Sequence, residues 1–310
     1  MRHLITINDM TAEDIQAIFK LADSFYEQLD GRMVKKVPLL SGATVVLLFV
    51  EPSTRTQISF EVAAKRLSAD VISLTASASS LKKGESLIDT ALTLSQYGID
   101  IMVVRHPSAG APDLLAEPDL FGVINAGDGM RAHPTQALLD AYTVYRELGQ
   151  VKDVRIAFIG DILHSRVVRS NFELFGMLGA RLYAVAPPSM LPDYLPPGVE
   201  ILSDVNEAIN RCDVLYFLRI QYERMMKSEA VDLNFYRSAF SLTQEKLPRL
   251  GKDKFIMHPG PVNRGIELDS EAVEHRNSLI LKQVRYGLYV RMGVLTRLLD
   301  ERSGGLELPY

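Results

Sequence analysis

The sequence predicts an α/β protein of two doubly wound, parallel-sheet lobes bridged by two helices. Three observations predict it. Short apolar or β-branched runs alternate with helical patterns along almost the whole chain, the rhythm of parallel strands and their crossover helices. The strand runs are apolar throughout rather than alternating, as in 44–50 (TVVLLFV), so both sheet faces are expected to be covered. The 310 residues exceed one ordinary domain, and a long helical pattern in mid-chain is suited to joining two lobes. Eight strands are also enough for a single closed barrel, so periodicity alone leaves that alternative open.

The elements follow in order. An opening helix starts at Thr11, where Thr11-Ala-Glu-Asp14 resembles a capping box with Asp for the usual Glu. Strands are expected at 44–50, 70–74, 100–104, 122–125, 154–159, 181–185, 213–217 and 254–257. Helices are expected at 56–67, 85–97, 134–148, 167–177 and 206–211, with a last amphipathic helix at about 284–299 ahead of Gly304-Gly305. The lobes are expected to comprise 1–134 with 287–310, and 135–286.

Composition narrows the chemistry. Hydrophobic residues at 47% and charged ones at 23% describe an ordered globular chain. The longest apolar runs fall far below the roughly 20 residues that span a bilayer. Asp9, Glu13 and Asp14 precede any long apolar run, so the start does not read as a signal peptide. One cysteine, Cys212, excludes an intramolecular disulfide and a multi-cysteine metal site, and the six histidines show no HxxxH or HxH spacing. A cytoplasmic protein with no metal and no cofactor is the expectation. The net charge of −4 argues against a nucleic-acid surface; anions would have to be held by local arginines.

The most informative segment is Glu51-Pro-Ser53-Thr54-Arg55-Thr56-Gln57. It follows a buried strand and opens a helix, the place where open α/β sheets bind anions. Helix N–H groups and the positive dipole end point at such a ligand. Three hydroxyls and a guanidinium crowd the turn, far more polar capacity than a helix cap uses. No GxxxxGK[ST] occurs, so a P-loop nucleotide is not the ligand.

This Ser-Thr-Arg-Thr run after Phe-x-Glu-Pro resembles the hallmark of the aspartate/ornithine carbamoyltransferase family, and the resemblance continues in order along the chain. It implies a carbamoyl phosphate domain followed by an amino-acid domain, and a grip on carbamoyl phosphate by Ser53, Thr54, Arg55 and Thr56. Gln57 stands where most members carry Arg. Arg105, at the end of Val103-Val104-Arg105-His106-Pro107, matches a family arginine against the same ligand; alone it is as readily a salt-bridge partner. His133 and Gln136, in His133-Pro-Thr-Gln136-Ala-Leu-Leu-Asp140, match residues that contact the carbamoyl group, the His as an oxyanion donor.

Two segments bear on the acceptor. Asp161-Ile-Leu-His164-Ser-Arg166 and Leu218-Arg219-Ile-Gln221-Tyr-Glu-Arg224 both follow predicted strands. Each arginine alone is as readily structural as functional. Together they suit a dicarboxylate, whereas ornithine would ask for an acid. Arg166, Arg219 and Gln221 match the family's aspartate-binding positions, and His164 stands where many members place Tyr. Ornithine enzymes carry His-Cys-Leu-Pro where this chain has His258-Pro259-Gly260-Pro261. The resemblance implies that Pro259, Gly260 and Pro261 present backbone groups to the substrates, with a cis bond before Pro261.

The resemblance further implies a trimer with shared sites. The small, basic segment 76–86, read as a mobile loop with a Gly84 hinge, would enter a neighbour's site with Ser79 (or Ser80) and Lys83. Glu51 and Arg224 match residues that help hold a closed state. The implied reaction is transfer of a carbamoyl group to L-aspartate, the committed step of pyrimidine synthesis. Arg55, Thr56, Lys83, Arg105 and His133 are the expected catalytic groups. A dihydroorotase or a regulatory subunit remains open as a partner; no nucleic acid and no membrane is expected. Two rivals stand beside this reading. A nucleotide-dependent dehydrogenase is suggested by the Gly160-Asp161 turn but lacks GxGxxG and the later acid. A catalytically silent scaffold homologue predicts losses among the site residues.

Overall fold

A computed structural model describes residues 1–75, 84–221 and 232–305. The chain divides into two compact units, Met1–Tyr142 with Arg285–Tyr310, and Thr143–Val284. Each has its own parallel sheet, which removes the single-barrel alternative.

In the first unit, α1 (Ala12–Leu29) begins with the expected capping box. The Thr11 hydroxyl accepts from the Asp14 N–H at 3.2 Å, and the Asp14 carboxylate accepts from the Thr11 N–H at 3.2 Å. The sheet contains β1 (Thr44–Phe49), β2 (Asp70–Thr75), β3 (Ile101–His106) and β4 (Gly122–Asp128), in the order β2-β1-β3-β4. All its pairings are parallel. Val45 to Leu48 are fully enclosed, as their unbroken apolar run requires. α2 (Thr54–Arg66) packs on β1 and β2, while α4 (Ala111–Ala116) packs on β3, β4 and α3 (Leu87–Ser95).

In the second unit the order is β7-β6-β5-β8-β9, again all parallel. These strands are β5 (Arg155–Ile159), β6 (Arg181–Val185), β7 (Val199–Ile201), β8 (Val214–Phe217) and β9 (Phe255–Met257). Phe158 of β5 meets Phe172 of α6 (Arg166–Met177) edge-on at 5.1 Å and Tyr216 of β8 at 5.1 Å. Such aromatic contacts add roughly 0.5–1.5 kcal/mol beyond area burial.

Strand order decides where ligands bind. After β2 the chain crosses β1 to lay down β3; after β7 it crosses β5, by way of α7 (Val205–Arg211), to lay down β8. Connections therefore diverge at the carboxyl ends of β1/β3 and of β5/β8, opening a crevice at each switch point. The Ser-Thr-Arg-Thr turn and Arg105 leave the first; Arg166 and Arg219 leave the second.

The expected elements all form, within a few residues of the expected bounds. Among the described residues four short ones, β7, α4, α8 (Leu233–Phe240) and a single-turn helix at Ser270–Val273, had no sequence signal. β7 is a three-residue edge strand with Glu200 and Ile201 exposed, so nothing in it alternates or is continuously buried. α4 starts after Gly110 and carries Pro112 in its first turn, which masks a helical pattern. α8 spans barely two turns. The last helix, after α9 (Ser270–Val273), is longer than expected: α10 runs over Ile280–Ser303. Its first turn exposes Leu281 and so breaks the amphipathic pattern. α10 and α5 (Pro134–Leu148) each start in one unit and end in the other. No helix among the described residues is long and apolar enough to cross a membrane.

Candidate active site

The first unit's site is built on the exit from β1. The N–H groups of Val50 and Glu51 donate to the Arg105 carbonyl at 2.9 and 3.2 Å, stitching this exit to the end of β3. Ser53 then takes the N-cap position in an extended conformation but makes no capping bond. Its hydroxyl instead donates to Thr56 Oγ1 at 3.0 Å. Elsewhere Thr11, Ser86, Ser165, Asp204 and Asp232 each accept from first-turn N–H groups. At α2 the available hydroxyl is turned aside from that task. An N-terminus of this kind favours an anion. Thr54 and Arg55 are exposed on the same turn, and Thr56 is buried behind them.

Arg105 lies across that turn's entry. Its Nη2 donates to Glu51 Oε1 at 2.6 Å and its Nη1 to the Ala126 carbonyl at 3.2 Å. The side chain is largely buried, with 13% exposed. Two of its directions are fixed by the loop and by β4, which holds the guanidinium plane in place.

The exit from β4 is held by a buried carboxylate. Asp128 accepts from Asn125 Nδ2 (2.8 Å), Ala132 N (3.1 Å) and Gly110 N (2.9 Å). Arg131, paired with Asp113, also reaches Asp128 at 3.4 Å. The fixed turn delivers His133 to the position just before α5; His133 there and Gln136 in the helix's first turn are both buried. Gln136 Nε2 donates to Asp140 Oδ1 at 3.0 Å. Behind α2, Arg291 of α10 donates to Ser59 Oγ at 2.7 Å and stacks over Phe60. Burial pushes its pKa down to about 10; the Asp140 charge opposes that shift and the Arg105 charge adds to it.

The second unit's site rests on Asp161, wholly buried at the exit from β5. Asp161 Oδ1 lies 2.9 Å from His164 Nδ1 and accepts from the His164 N–H at 3.2 Å; Oδ2 accepts from the Gln221 N–H at 3.1 Å. One carboxylate therefore ties the segment after β5 to the segment after β8. The preceding residue must be glycine: Gly160 has φ +120°, and a Cβ there would lie 2.7 Å from the Leu218 carbonyl oxygen. Ser165 caps α6, whose first residue is the buried Arg166; Arg219 is half-buried just past β8.

The loop after β9 carries the cis Gly260-Pro261 bond. Its fold is set by His258, whose Nδ1 accepts from the Gly260 N–H at 2.8 Å. The ring proton is therefore on Nε2, which faces Glu267 Oε1 at 3.3 Å. Glu267 also accepts from the Asn263 N–H at 2.6 Å, so the pair closes the loop on itself.

The expected residues fall into these groups: Ser53, Thr54, Arg55 and Thr56 on one turn with Arg105 beside it; His133 and Gln136 on α5; Arg166, Arg219 and Gln221 at the second switch point; Pro259, Gly260 and Pro261 on the loop after β9. Ser79, Ser80, Lys83 and Arg224 lie outside the described residues. The supporting groups Asp128, Arg291 and Glu267 gave no sequence signal. Asp161 and Asp140 stood inside the quoted segments, and acids placed there were the only hint of their work.

Two parallel α/β units, each presenting arginine and hydroxyl or amide groups at a switch point, define an enzyme class that handles small anions. The chain belongs to the aspartate/ornithine carbamoyltransferase family: residues 2–146 match its carbamoyl-P binding domain and residues 152–298 its Asp/Orn binding domain. It is 48% identical over 298 residues to an aspartate carbamoyltransferase catalytic subunit of Bradyrhizobium sp., covering 96% of this chain and 94% of that one. It is 46% identical to the catalytic subunit from Thermus aquaticus, covering 96% and 98%. Among solved structures it is similar to the M. jannaschii aspartate transcarbamoylase catalytic subunit, with TM-score 0.85 and 37% identity over 98% of this chain and 100% of that one. The Trypanosoma cruzi aspartate transcarbamoylase, solved with N-(phosphonacetyl)-L-aspartic acid, gives TM-score 0.86 at 30% identity, covering 96% and 95%.

Proposed function

We propose that this chain transfers the carbamoyl group of carbamoyl phosphate to the amine of L-aspartate, giving N-carbamoyl-L-aspartate and phosphate. This is the committed step of pyrimidine biosynthesis. The observation that carries the reading is the uncapped N-terminus of α2 at a switch point, crowded by Ser53, Thr54, Arg55 and Thr56. Relatives point the same way: the T. cruzi enzyme has been solved with carbamoyl phosphate and aspartate bound.

Residues 1–134 with 287–310 then serve carbamoyl phosphate, joined by Gln136 just past that boundary, and the rest of 135–286 serves aspartate. The α2 turn binds the phosphate through first-turn N–H groups, hydroxyls and the Arg55 guanidinium. Arg105, His133 and Thr56 face the carbonyl oxygen, and Gln136 the carbamoyl nitrogen. Arg166 and Arg219, with Gln221, hold the two carboxylates of aspartate, and Pro259, Gly260 and Pro261 supply backbone groups. Ser79 and Lys83 reach the donor from a neighbouring subunit, so the active assembly is a homotrimer. Lys83 also touches the acceptor. The cytoplasm is the compartment.

The chemistry follows from the donor. An acyl phosphate is already activated, so the amine lone pair attacks the carbamoyl carbon directly, without a covalent enzyme intermediate. The N–C bond forms, the oxyanion is held by its donors, and the C–O bond to phosphate breaks. The departing phosphate takes the amine proton. Each oxyanion donor is worth ~3 kcal/mol of barrier, and orienting two bound reactants ~7–11 kcal/mol.

A ureido assay with aspartate, ornithine and no acceptor tests the reading. Carbamoyl phosphate-dependent product with aspartate alone is expected; product with ornithine, or with neither, overturns it.

A further inference from the structure

Gln136 is placed against the carbamoyl nitrogen in the reading above, but a glutamine amide has two nearly isosteric ends. One donates and one accepts. Which end meets the substrate is set by what holds the other. In the first unit that partner is Asp140, one helical turn further along α5 and wholly buried, whose Oδ1 receives Gln136 Nε2 at 3.0 Å. An ionised carboxylate only accepts, so it cannot hold the oxygen end. The Arg291 guanidinium, itself enclosed, feels the charge of Asp140. Arg291 is also tied to α2 through Ser59, the helix that the Ser-Thr-Arg-Thr turn opens.

We propose that Asp140 is a positioning residue that fixes the flip of the Gln136 amide, leaving Oε1 to accept an N–H of the donor and so selecting a carbamoyl group over an acyl group of the same shape. The inference rests on the proposed function. A carbonyl compound bearing CH3 in place of NH2 offers no proton, and leaves the Oε1 acceptor unmatched when it binds. A site built to hydrogen-bond rejects the analogue lacking the group.

The test uses two unreactive donor mimics, phosphonoacetamide and phosphonoacetone, which differ only in NH2 against CH3. Their inhibition constants against carbamoyl phosphate are measured on the intact enzyme. The native chain is expected to prefer the amide by about ten-fold, one hydrogen bond's worth. Asp140→Asn, which keeps the shape but both donates and accepts, is expected to bring that preference to about two-fold or less. Affinity for the ketone should be nearly unchanged. Asp140→Ser repeats the measurement if the first variant does not fold. Gln136→Met, which changes no charge, should show the same lost preference, and adding Asp140→Asn to it should change the ratio no further.

Equal weakening of both mimics in Asp140→Asn would make Asp140 merely structural and overturn the proposal; a preserved preference in Gln136→Met overturns it as well. A native chain that makes no carbamoyl-aspartate removes the proposed function instead, which the ureido assay reads separately.

Discussion

The Asp161 carboxylate holds the backbone N–H of Gln221, 60 positions further along the chain, at 3.1 Å. Its other oxygen engages His164. Both arginines assigned to the acceptor lie within two residues of these contacts, Arg166 beyond His164 and Arg219 before Gln221. Asp161→Asn retains one accepting oxygen for two segments that each need one. The expected result is a rise of about ten-fold in KM for aspartate, one lost buried hydrogen bond, with KM for carbamoyl phosphate little changed. Saturation curves for each substrate at a fixed excess of the other check it.

Arg55 is exposed on the first turn of α2, so its removal should spare the fold. Arg55→Ala is expected to hold Tm within about 2 °C, the range of neutral surface changes. Turnover should fall by about a hundred-fold or more, because a fixed charge on the phosphate is lost. Thermal melts together with the ureido assay measure both. Undiminished carbamoyl-aspartate formation would take the α2 turn out of the mechanism.

The α2 turn was legible in the sequence because its information is local: four consecutive polar residues sit between an apolar run and a helical pattern. Strands such as Val45 to Leu48 were legible for the same reason, since complete burial demands an unbroken apolar run. Arg291 was not. Its work depends on Ser59, 232 positions away in the chain, and one arginine on an amphipathic helix looks like any solvated one. Asp128 likewise joins Gly110, Asn125 and Ala132, a convergence that only the folded β4 exit creates. Asp140 is the intermediate case: four residues after Gln136 on a helix, it was one spacing rule from being read.

Acid should weaken the second unit through Asp213. Burial alone would raise its pKa, but hydrogen bonds and charge from Arg155 outweigh that and hold it below the usual carboxylate range. Arg155 donates to it from N, Nε and Nη2, at 2.9, 3.0 and 2.5 Å. A depressed folded-state pKa gives stability that is present above the unfolded value of about 3.9. That stability is lost as pH falls through the folded value. Asp213→Asn is expected to cost about 1 kcal/mol at pH 7. The gap to the native chain should close below pH 4. Urea midpoints across that range read it; a gap that stays constant with pH would mean that Asp213 contributes shape rather than charge.

Cys212, the single cysteine, is fully buried behind the C-terminus of α7, and burial pushes its pKa up to about 12. The folded thiol therefore stays protonated where the unfolded one, near 8.5, ionises. Its stabilising effect is whole below that value and declines as pH rises above it. At pH 8 a thiol reagent is expected to find no reactive group in the native protein. One equivalent should react in guanidinium, because only the exposed thiolate is nucleophilic. Fast modification of the native chain would show that α7 opens readily.

The proposed trimer makes a sharper demand, because Lys83 and Arg55 would serve one site from two chains. Lys83→Ala and Arg55→Ala homotrimers should each be nearly inactive. When the two are dissociated, mixed in equal amounts and reassembled, each mixed interface of one orientation unites a native Arg55 with a native Lys83. Random assembly gives about a quarter of all sites that composition. Recovery of about a quarter of native activity is the expected outcome, with mass spectrometry of the reassembled species confirming exchange. Verified mixed trimers without recovery would mean that each chain builds its site alone, and Lys83 would then have to act on its own subunit.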